Sequence, residues 1–285
     1  IWESRQSNNE EQKDNFTLQW FEAKLNETKL EIENLLKQFK LSEALKVLYS
    51  LIWDDFCSWY LEWIKPGFEQ AIDKNVFDKT VFFFDELMQL LHPFMPFVTE
   101  EIYHSLKERE DDLCVKQLSE IGIVNKEILE TGDILTLAIS LLLNVRKEYK
   151  LKNSDMLGLN IKTKNEVKYR LIASLLKKQA NVEQIFYNHQ DDQGLILLIQ
   201  DDLFNVYFPK YTNFKIDKND LLKDLSHLQN FLQSVLKKFS NEKFLQNAKP
   251  EVLALERKKQ SDEEARIINI KAGMAERDDA QGGSI

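Results

Sequence analysis

Two prolines three residues apart, Pro93 and Pro96, constrain the fold of this chain more than any other feature. Proline disfavours helical backbone angles in the residue before it, so Pro93 predicts that a helix ends at His92. Pro96 suits the first turn of a following helix, where a missing N–H is not needed. Glu100 and Glu101 fall in or near that first turn, where negative charge suits the unpaired N–H groups. The segment therefore predicts a tight apolar corner between two helices.

The spacing of apolar residues around this corner predicts an antiparallel helical bundle in residues 1–107. Steps of three and four residues place one apolar face on each helix. In the first helix, which begins at Phe16, that face is predicted to consist of Leu18, Phe21, Leu25, Thr28, Ile32, Leu35 and Phe39. In the second, which Ser42 is predicted to cap, it consists of Leu45, Leu48, Ile52, Phe56, Trp59 and Trp63. A third helix is predicted from a cap at Asn75 to the corner, and a fourth from Pro96 to Leu106.

A different pattern follows a run of charged residues at 108–112, which predicts a domain boundary. After a helix at 126–150, apolar and polar residues alternate in residues 157–163, as in a half-buried strand, and further short strand-like runs follow. The runs lie at 157–163, 182–187, 195–199 and 204–208, with a helical stretch at 166–178. We therefore predict a small α/β domain in residues 108–212. It contains no glycine-rich phosphate loop, so no nucleotide site is predicted there.

The most regular pattern lies near the end of the chain. Apolar residues step by four and three, as in the seam of a coiled coil, at Leu221, Leu225, Leu228, Leu232, Val235 and Phe239. Pro250 suits the start of a returning helix, so an antiparallel hairpin is predicted in residues 213–272 and a disordered tail in 273–285. The predicted fold class is mainly α: an antiparallel helical bundle, then a small α/β unit, then a C-terminal antiparallel coiled-coil hairpin.

Charge is distributed unevenly along the chain, whose net charge is −9. Residues 1–130 hold 14 Lys and Arg against 26 Asp and Glu, whereas residues 136–180 hold 10 against 3 and residues 215–271 hold 12 against 9. Nucleic-acid affinity depends on local positive potential at the phosphates, so the middle and the end of the chain are the electrostatic candidates for such an interaction. For any single lysine, a solvated helix face is the more common explanation.

Four segments carry a resemblance to a known family. Residues 59–66 read Trp-Tyr-Leu-Glu-Trp-Ile-Lys-Pro, residues 91–102 read Leu-His-Pro-Phe-Met-Pro-Phe-Val-Thr-Glu-Glu-Ile, and residues 144–150 read Asn-Val-Arg-Lys-Glu-Tyr-Lys. Residues 240–259 contain Ser-Asn-Glu-Lys-Phe, Asn-Ala-Lys-Pro-Glu-Val and Glu-Arg-Lys-Lys in the predicted hairpin. In this order they resemble the class I aminoacyl-tRNA synthetases of the valyl type. Isoleucyl relatives are expected to end in a cysteine-rich metal module, and this chain has only 2 cysteines.

The resemblance implies a parent enzyme that activates valine with ATP and Mg²⁺ and esterifies it to valine tRNA. The family's catalytic signatures, His-x-Gly-His and Lys-Met-Ser-Lys-Ser, do not occur in this chain. The chain is therefore expected to be an excised C-terminal piece that recognises tRNA, is not catalytic alone and needs no cofactor of its own. Its expected partners are valine tRNA and the catalytic and editing domains of the same parent chain, in a cytoplasmic monomer.

By this resemblance, the bundle approaches the anticodon stem-loop and the hairpin reaches the outer corner of the tRNA. The predicted RNA contacts are Lys65, Arg146, Lys147, Lys150, Lys237, Lys238, Lys243, Arg257, Lys258 and Lys259. Further candidates for backbone contacts are Lys152, Lys177 and Lys178. Trp53 is a candidate for stacking on unpaired bases, whereas Trp59 and Trp63 are assigned to the core.

The alternative function is a helical protein–protein interaction module, favoured by the acidic bundle and the polar returning helix. Cys57 and Cys114 have no His or second Cys at ligand spacing, which predicts a reduced protein without a zinc site. No nucleophile or metal-ligand spacing lies near any of the histidines, His92, His104, His189 and His227. No apolar run reaches about 18 residues, so no membrane span is predicted.

Overall fold

A computed structural model describes residues 16–67, 69–152, 154–190 and 194–208, the backbone of residues 4–5, and single helical positions between 226 and 267. The chain divides into two compact units, Ile1–Thr136 and Leu137–Ile285. The first contains helices and one short two-stranded pairing, and the second contains a four-stranded mixed sheet. The described residues therefore have the predicted helical bundle followed by a small α/β unit.

The first unit is built from helices that follow one another closely along the chain. Its helices are α1 (Phe16–Lys37), α2 (Leu41–Ser50), a π-helix (Leu51–Tyr60), α3 (Leu61–Ile64), α4 (Lys74–Leu91) and α5 (Pro96–Leu106). A short parallel pair joins β1 (Ser4–Arg5) to β2 (Ile72–Asp73). A 3-10 turn (Leu113–Val115) and helix α6 (Lys126–Glu148) follow.

Helix α1 confirms most of its predicted apolar face. Phe21, Leu25 and Ile32 are buried, and the ring of Phe21 lies 4.8 Å from that of Tyr60 and 5.0 Å from that of Phe83, measured between centroids. Phe39 is exposed instead of buried, because α1 ends at Lys37 and the backbone of Phe39 turns into the left-handed region at φ 57°. The bundle core is therefore aromatic at its centre and ends before the predicted limit.

The second predicted helix is not uniform, and its buried face shifts in phase. Residues Leu51–Tyr60 form a π-helix, in which the N–H of Leu61 bonds the carbonyl of Phe56 five residues earlier. The wider turn changes which residues point inward: the buried ones are Ala44, Leu48, Leu51, Phe56, Tyr60 and Trp63. Leu45, predicted to be buried, is therefore exposed, and Trp59 is only half-buried. Trp63 is buried as predicted and lies 4.6 Å from the ring of Trp20.

Two predicted helix caps are corrected, whereas the predicted corner is confirmed. Helix α2 follows Lys40 with no side-chain cap, so Ser42 does not cap it. Helix α4 is capped by Asp73, whose Oδ1 accepts the N–H of Asn75 at 2.9 Å, so Asn75 is capped and is not the cap. At the corner, α4 ends at Leu91 and α5 begins at Pro96, close to the predicted positions, although His92 itself keeps helical backbone angles at φ −53° and ψ −42°.

The predicted domain boundary at residue 108 is replaced by a packed segment, which we call the strap (residues 107–125). Arg109 Nη2 lies 2.7 Å from both carboxylate oxygens of Asp85 on α4, and Gln89 Nε2 donates to the carbonyl of Lys116 at 2.9 Å. The N–H of Gly122 donates to Asn26 Oδ1 on α1 at 3.1 Å. These contacts explain why the first unit extends past the charged run.

Two further contacts tie the strap and α6 to the bundle. Ser119 on the strap bonds a buried ion pair between Lys29 on α1 and Glu86 on α4. At Gly132 on α6, an added Cβ would lie only 2.1 Å from Trp20 Nε1, so a larger residue would displace the indole. The packing of residues 107–136 onto α1 and α4 therefore depends on specific polar groups and on one glycine.

The second unit contains a mixed sheet with strand order β4-β3-β6-β5. Its elements are β3 (Leu157–Lys162), α7 (Glu166–Ala180), β4 (Val182–Tyr187), β5 (Leu195–Ile199) and β6 (Asp202–Tyr207). β3 pairs parallel with β4 and antiparallel with β6, and β5 pairs antiparallel with β6. The strand predictions are confirmed, although β6 begins two residues earlier than predicted. Because β3 is central, its residues from Leu157 to Ile161 are buried.

The predicted coiled-coil hairpin (213–272) and tail (273–285) lie largely outside the described residues. The positions described there are helical, among them Ser226 and residues 236–239. The pairing of the two hairpin helices therefore stays a prediction. Within the described part, α6 is long and apolar enough to cross a membrane, and half of its apolar window is buried in the protein.

Candidate nucleic-acid interface

An exposed aromatic pair lies on one face of the second helix, in the first unit. Tyr49 is 62% exposed and Trp53 is 59% exposed, and their rings are stacked at 6.3 Å between centroids with an interplanar angle of 12°. Leu45 lies one turn before Tyr49 on the same face, and Leu41 lies two turns before it. Both leucines are exposed. We call these four residues the aromatic face.

The aromatic face crosses from α2 into the π-helix. Trp53 lies near its beginning, and its carbonyl accepts a bond from Ser58 Oγ at 2.8 Å, five residues later. Ser50 Oγ donates to Asp54 Oδ2 at 2.8 Å across the junction with α2. Two large rings held parallel in water form a platform that can take a further flat ring, such as an unpaired base.

The surroundings of the aromatic face are not strongly basic. Lys40 lies 3.8 Å from Glu43, and Lys37 lies 2.6 Å from Glu33, so these two lysines have carboxylate partners. Lys65, a predicted RNA contact, is exposed at the end of α3 and lies 3.3 Å from Glu62. It is about 18 Å along the helix from Trp53 at about 1.5 Å per residue, so the structure does not bring the two together.

A half-buried acid lies two residues after Trp53. Burial raises the pKa of Asp55 to about 6, from an ordinary value of 3.8. Lys24 lowers this pKa, whereas the negative charges of Asp54, Asp133 and Glu27 raise it. The side of the helix that carries Asp55 is therefore an unfavourable place for further negative charge, and phosphate contacts are better supplied elsewhere.

Arg146, predicted to contact RNA, has a structural role. Its side chain is only 6% exposed, and its guanidinium donates to the carbonyl of Asp155 at 2.8 Å and to that of Lys152. Asp155 Oδ2 in turn accepts the N–H of Lys152 at 2.9 Å. A buried guanidinium with two carbonyl partners holds the turn after α6, and RNA contact by Arg146 stays a prediction.

The turn that Arg146 holds carries the neighbouring predicted contacts. Lys147, Lys150 and Lys152 are all exposed there, and we call them the basic turn. Lys150 has φ 50°, and its N–H donates to the carbonyl of Lys147 at 3.2 Å, so the chain reverses direction at this point. In the same unit, Lys177 and Lys178 are exposed in the last turn of α7. The second unit therefore has exposed positive charge at two helix ends.

The remaining predicted contacts lie on the hairpin. Lys237, Lys238 and Arg257 are helical and exposed. Lys243, Lys258 and Lys259 lie outside the described residues. For all of these, RNA contact stays a prediction.

Two features were missed in the sequence. Tyr49 was not singled out, although its spacing of four residues from Trp53 predicts that the two rings share a helix face. Glu100, His104 and Asp112 were also missed: their ligand atoms lie within 4.8 Å of one another, a spacing that could hold a metal ion. Glu100 and His104 are four residues apart on α5, which was a visible signal, whereas the approach of Asp112 was not.

Comparison with known proteins places these surfaces in a family context. The family described as "Anticodon-binding domain of tRNA ligase" matches residues 19–162, which is half of the chain. This match includes the whole aromatic face and the basic turn. It ends before α7 and the other three strands of the sheet.

Individual relatives agree with this match. The chain is 33% identical over 261 residues to a valine–tRNA ligase of Parabacteroides distasonis, covering 90% of this chain and 30% of the relative. It is 36% identical over 260 residues to the valine–tRNA ligase of Phocaeicola vulgatus, with the same coverage, 90% and 30%. It is 32% identical over 278 residues to that of Porphyromonas gingivalis, covering 96% and 31%. The chain thus spans about a third of the length of these relatives.

Proposed function

Since the chain belongs to the anticodon-binding domain family of tRNA ligases, we propose that it is the tRNA-recognition region of a valine–tRNA ligase. In this proposal it binds valine tRNA so that the catalytic part of the same enzyme can attach valine. ATP and Mg²⁺ act in that catalytic part. The parent enzyme also has a separate editing domain, and this chain performs no chemical step. The parent enzyme is proposed to be a cytoplasmic monomer.

The observation that carries the proposal is the exposed Tyr49–Trp53 stack inside the matched region. Sequence-specific RNA recognition usually targets unpaired bases, which are splayed out and stacked on aromatic side chains. An anticodon loop offers such bases. The aromatic face is therefore proposed to receive an anticodon base on the Trp53 ring, with Leu41 and Leu45 shielding the stack from water.

The basic residues have a different part in the proposal. Lys147 and Lys150 on the basic turn are proposed to contact phosphates, and so are Lys237, Lys238, Lys243, Arg257, Lys258 and Lys259 of the hairpin, which would reach the outer corner of the tRNA. Lysine is a flexible point charge, so these contacts provide affinity and orientation and little base discrimination. This division between base stacking in one region and phosphate contacts in others explains how a chain of net charge −9 can bind a polyanion.

The experiment is a filter-binding titration of the whole chain with a valine tRNA transcript at two salt concentrations. Trp53→Ala should weaken binding by about 5- to 100-fold, because stacking on one aromatic residue contributes about 1–3 kcal/mol per base. Phe97→Ala is the matched control, since Phe97 is also an exposed aromatic residue of the first unit, 91% exposed at the corner. It should bind like the unmodified chain.

The result that would overturn the proposal is equal binding by the Trp53→Ala and unmodified chains, or no binding of tRNA at low salt.

The exposed apolar residues Leu41, Leu45 and Phe39 near the aromatic pair also favour a second candidate, a face that binds another protein. In that case the Trp53→Ala chain would keep its tRNA affinity and would no longer bind a protein partner.

A further inference from the structure

A cluster of ligand-type side chains lies where the strap meets α5, away from the aromatic face. Glu100 and His104 are one turn apart on α5, and Asp112 comes from the strap. His104 Nε2 lies 3.2 Å from Glu100 Oε1 and 3.2 Å from Asp112 Oδ1. All three side chains are accessible, being 27%, 37% and 65% exposed in chain order.

Hydrogen bonding alone accounts poorly for this arrangement. A ring nitrogen carries at most one hydrogen, which cannot point at both carboxylates at once, and 3.2 Å is at the long end of the range for such bonds. The two carboxylate oxygens also lie within 4.8 Å of each other, so their negative charges repel. A cation between the three atoms would remove both difficulties.

Two of the three separations between these atoms are close to those found around a metal ion. Bonds of about 2.0–2.2 Å in tetrahedral geometry place neighbouring ligand atoms about 3.3–3.6 Å apart. The two observed separations, each 3.2 Å, need only a small side-chain adjustment to reach that range. The exposure of the cluster leaves room for water to complete the coordination.

The surrounding structure fixes the ligands in place. Glu100 Oε1 accepts the N–H of Leu113 at 2.8 Å, and Leu113 is buried directly after Asp112. On the other side of Asp112, Asp111 accepts the hydroxyl of the buried Tyr103 at 3.3 Å. Asp111 and Leu113, the two neighbours of Asp112, are thus both bonded to α5. These bonds hold the backbone of Asp112 in place, so its carboxylate stays near His104 without further side-chain bonds.

From this geometry we propose that Glu100, His104 and Asp112 bind a first-row divalent metal ion of the zinc class and thereby join the strap to α5. One imidazole and two carboxylates suit Zn²⁺ and Co²⁺, whereas Mg²⁺ and Ca²⁺ prefer oxygen ligands alone. The nearby His92 is not a ligand in this proposal, because its Nδ1 is 2.9 Å from Thr99 Oγ1 and 3.9 Å from the second oxygen of Glu100. The site is independent of the proposed tRNA function.

The test is a titration of the whole chain, free of affinity tags, with Co²⁺ and with Zn²⁺ as the only added ligands. Cys57 and Cys114 are exposed thiols that can bind these metals, so both are first replaced by serine. One equivalent of Co²⁺ should bind to this cysteine-free chain and produce the visible absorption of a four- or five-coordinate ion. Zn²⁺ should displace it and raise the midpoint of thermal unfolding.

Variants separate this site from other metal binding. His104→Ala and Asp112→Asn should each weaken Co²⁺ binding by more than about tenfold. Glu101→Gln is the matched control, because Glu101 is an exposed carboxylate on the same helix but outside the cluster, and it should leave binding unchanged. Circular dichroism of each metal-free variant shows whether it is folded. Absence of Co²⁺ binding by the cysteine-free chain, or equal binding by the His104→Ala variant, would refute the site.

Discussion

The two units of this chain present opposite kinds of surface. In the first unit, which is rich in carboxylates, the aromatic face offers stacked rings, and Lys37 and Lys40 near it are paired with glutamates. In the second unit, the basic turn offers exposed lysines held in place by the buried guanidinium of Arg146. Stacking is short-ranged and tolerates local negative charge, whereas phosphate attraction acts over about 8–10 Å and depends on salt. Base reading and phosphate binding can therefore be placed in different units.

The contrast predicts that Arg146 contributes more to the stability of the second unit than any lysine of the basic turn does. Arg146→Met should lower the free energy of unfolding by about 2–4 kcal/mol, because it leaves two inward-facing carbonyls without their charged donor. Denaturant unfolding followed by fluorescence and circular dichroism measures this decrease. Arg170→Met is the control, since Arg170 is exposed and its ion pair is with Glu166, one turn away on the same helix. It should change stability by less than about 0.5 kcal/mol.

The salt dependence of tRNA binding should separate the two surfaces. Replacing Lys147 and Lys150 together by alanine should reduce the slope of log affinity against log salt by about 0.7–0.9 for each phosphate that the chain no longer neutralises. Trp53→Ala should lower affinity by about 1–3 kcal/mol at every salt concentration and leave the slope unchanged. If both variants changed the slope equally, the division between stacking and charge would be wrong.

The half-buried acid of the first unit, Asp55, gives a pH-dependent test of its electrostatics. Because the folded chain raises the pKa of Asp55 from 3.8 to about 6, it binds that proton more tightly than the unfolded chain does. The contribution of Asp55 to stability is therefore present below about pH 4 and is lost as the pH rises through about 6.

Asp55→Asn should accordingly stabilise the chain by about 1–2 kcal/mol at pH 7.5 and have little effect at pH 4. Urea unfolding at the two pH values measures the difference. Asp78→Asn is a suitable control, because Asp78 is exposed and its partner Lys74 lies on the same helix. An equal effect of Asp55→Asn on stability at both pH values would show that ionisation of the Asp55 carboxyl does not cause the stability difference.

The smallest effect is expected at Lys65. Its ion pair with Glu62 is exposed, and pairs of this kind contribute only about 0–1 kcal/mol. Lys65→Ala should leave stability within about 0.5 kcal/mol of the unmodified chain and should weaken tRNA binding less than Trp53→Ala does. A larger decrease in affinity than for Trp53→Ala would extend the RNA-binding face along the helix to α3.

Much of the secondary structure could be predicted because its causes are local. The prolines at the corner determine where α4 ends and α5 begins, alternating residues predict β3, and short strand-like runs predict β4 and β5. The candidate site could be predicted only in part. Trp53 was identified as exposed and the lysines of the basic turn as surface residues, and both predictions agree with the structure.

The sequence by itself determined the order of helices and strands, the corner at Pro93 and Pro96 and the separation of acidic from basic segments, because backbone preference, side-chain period and charge act over a few residues. Tertiary packing alone decided the phase of the π-helix, the burial of Arg146 and the approach of Asp112 to His104. Each of these depends on partners supplied by other elements or by the turn of the chain, and burial changes what the same side chain does. Arg146 was predicted from the sequence to contact RNA, whereas in the fold its guanidinium is buried and bonds two backbone carbonyls that hold a turn.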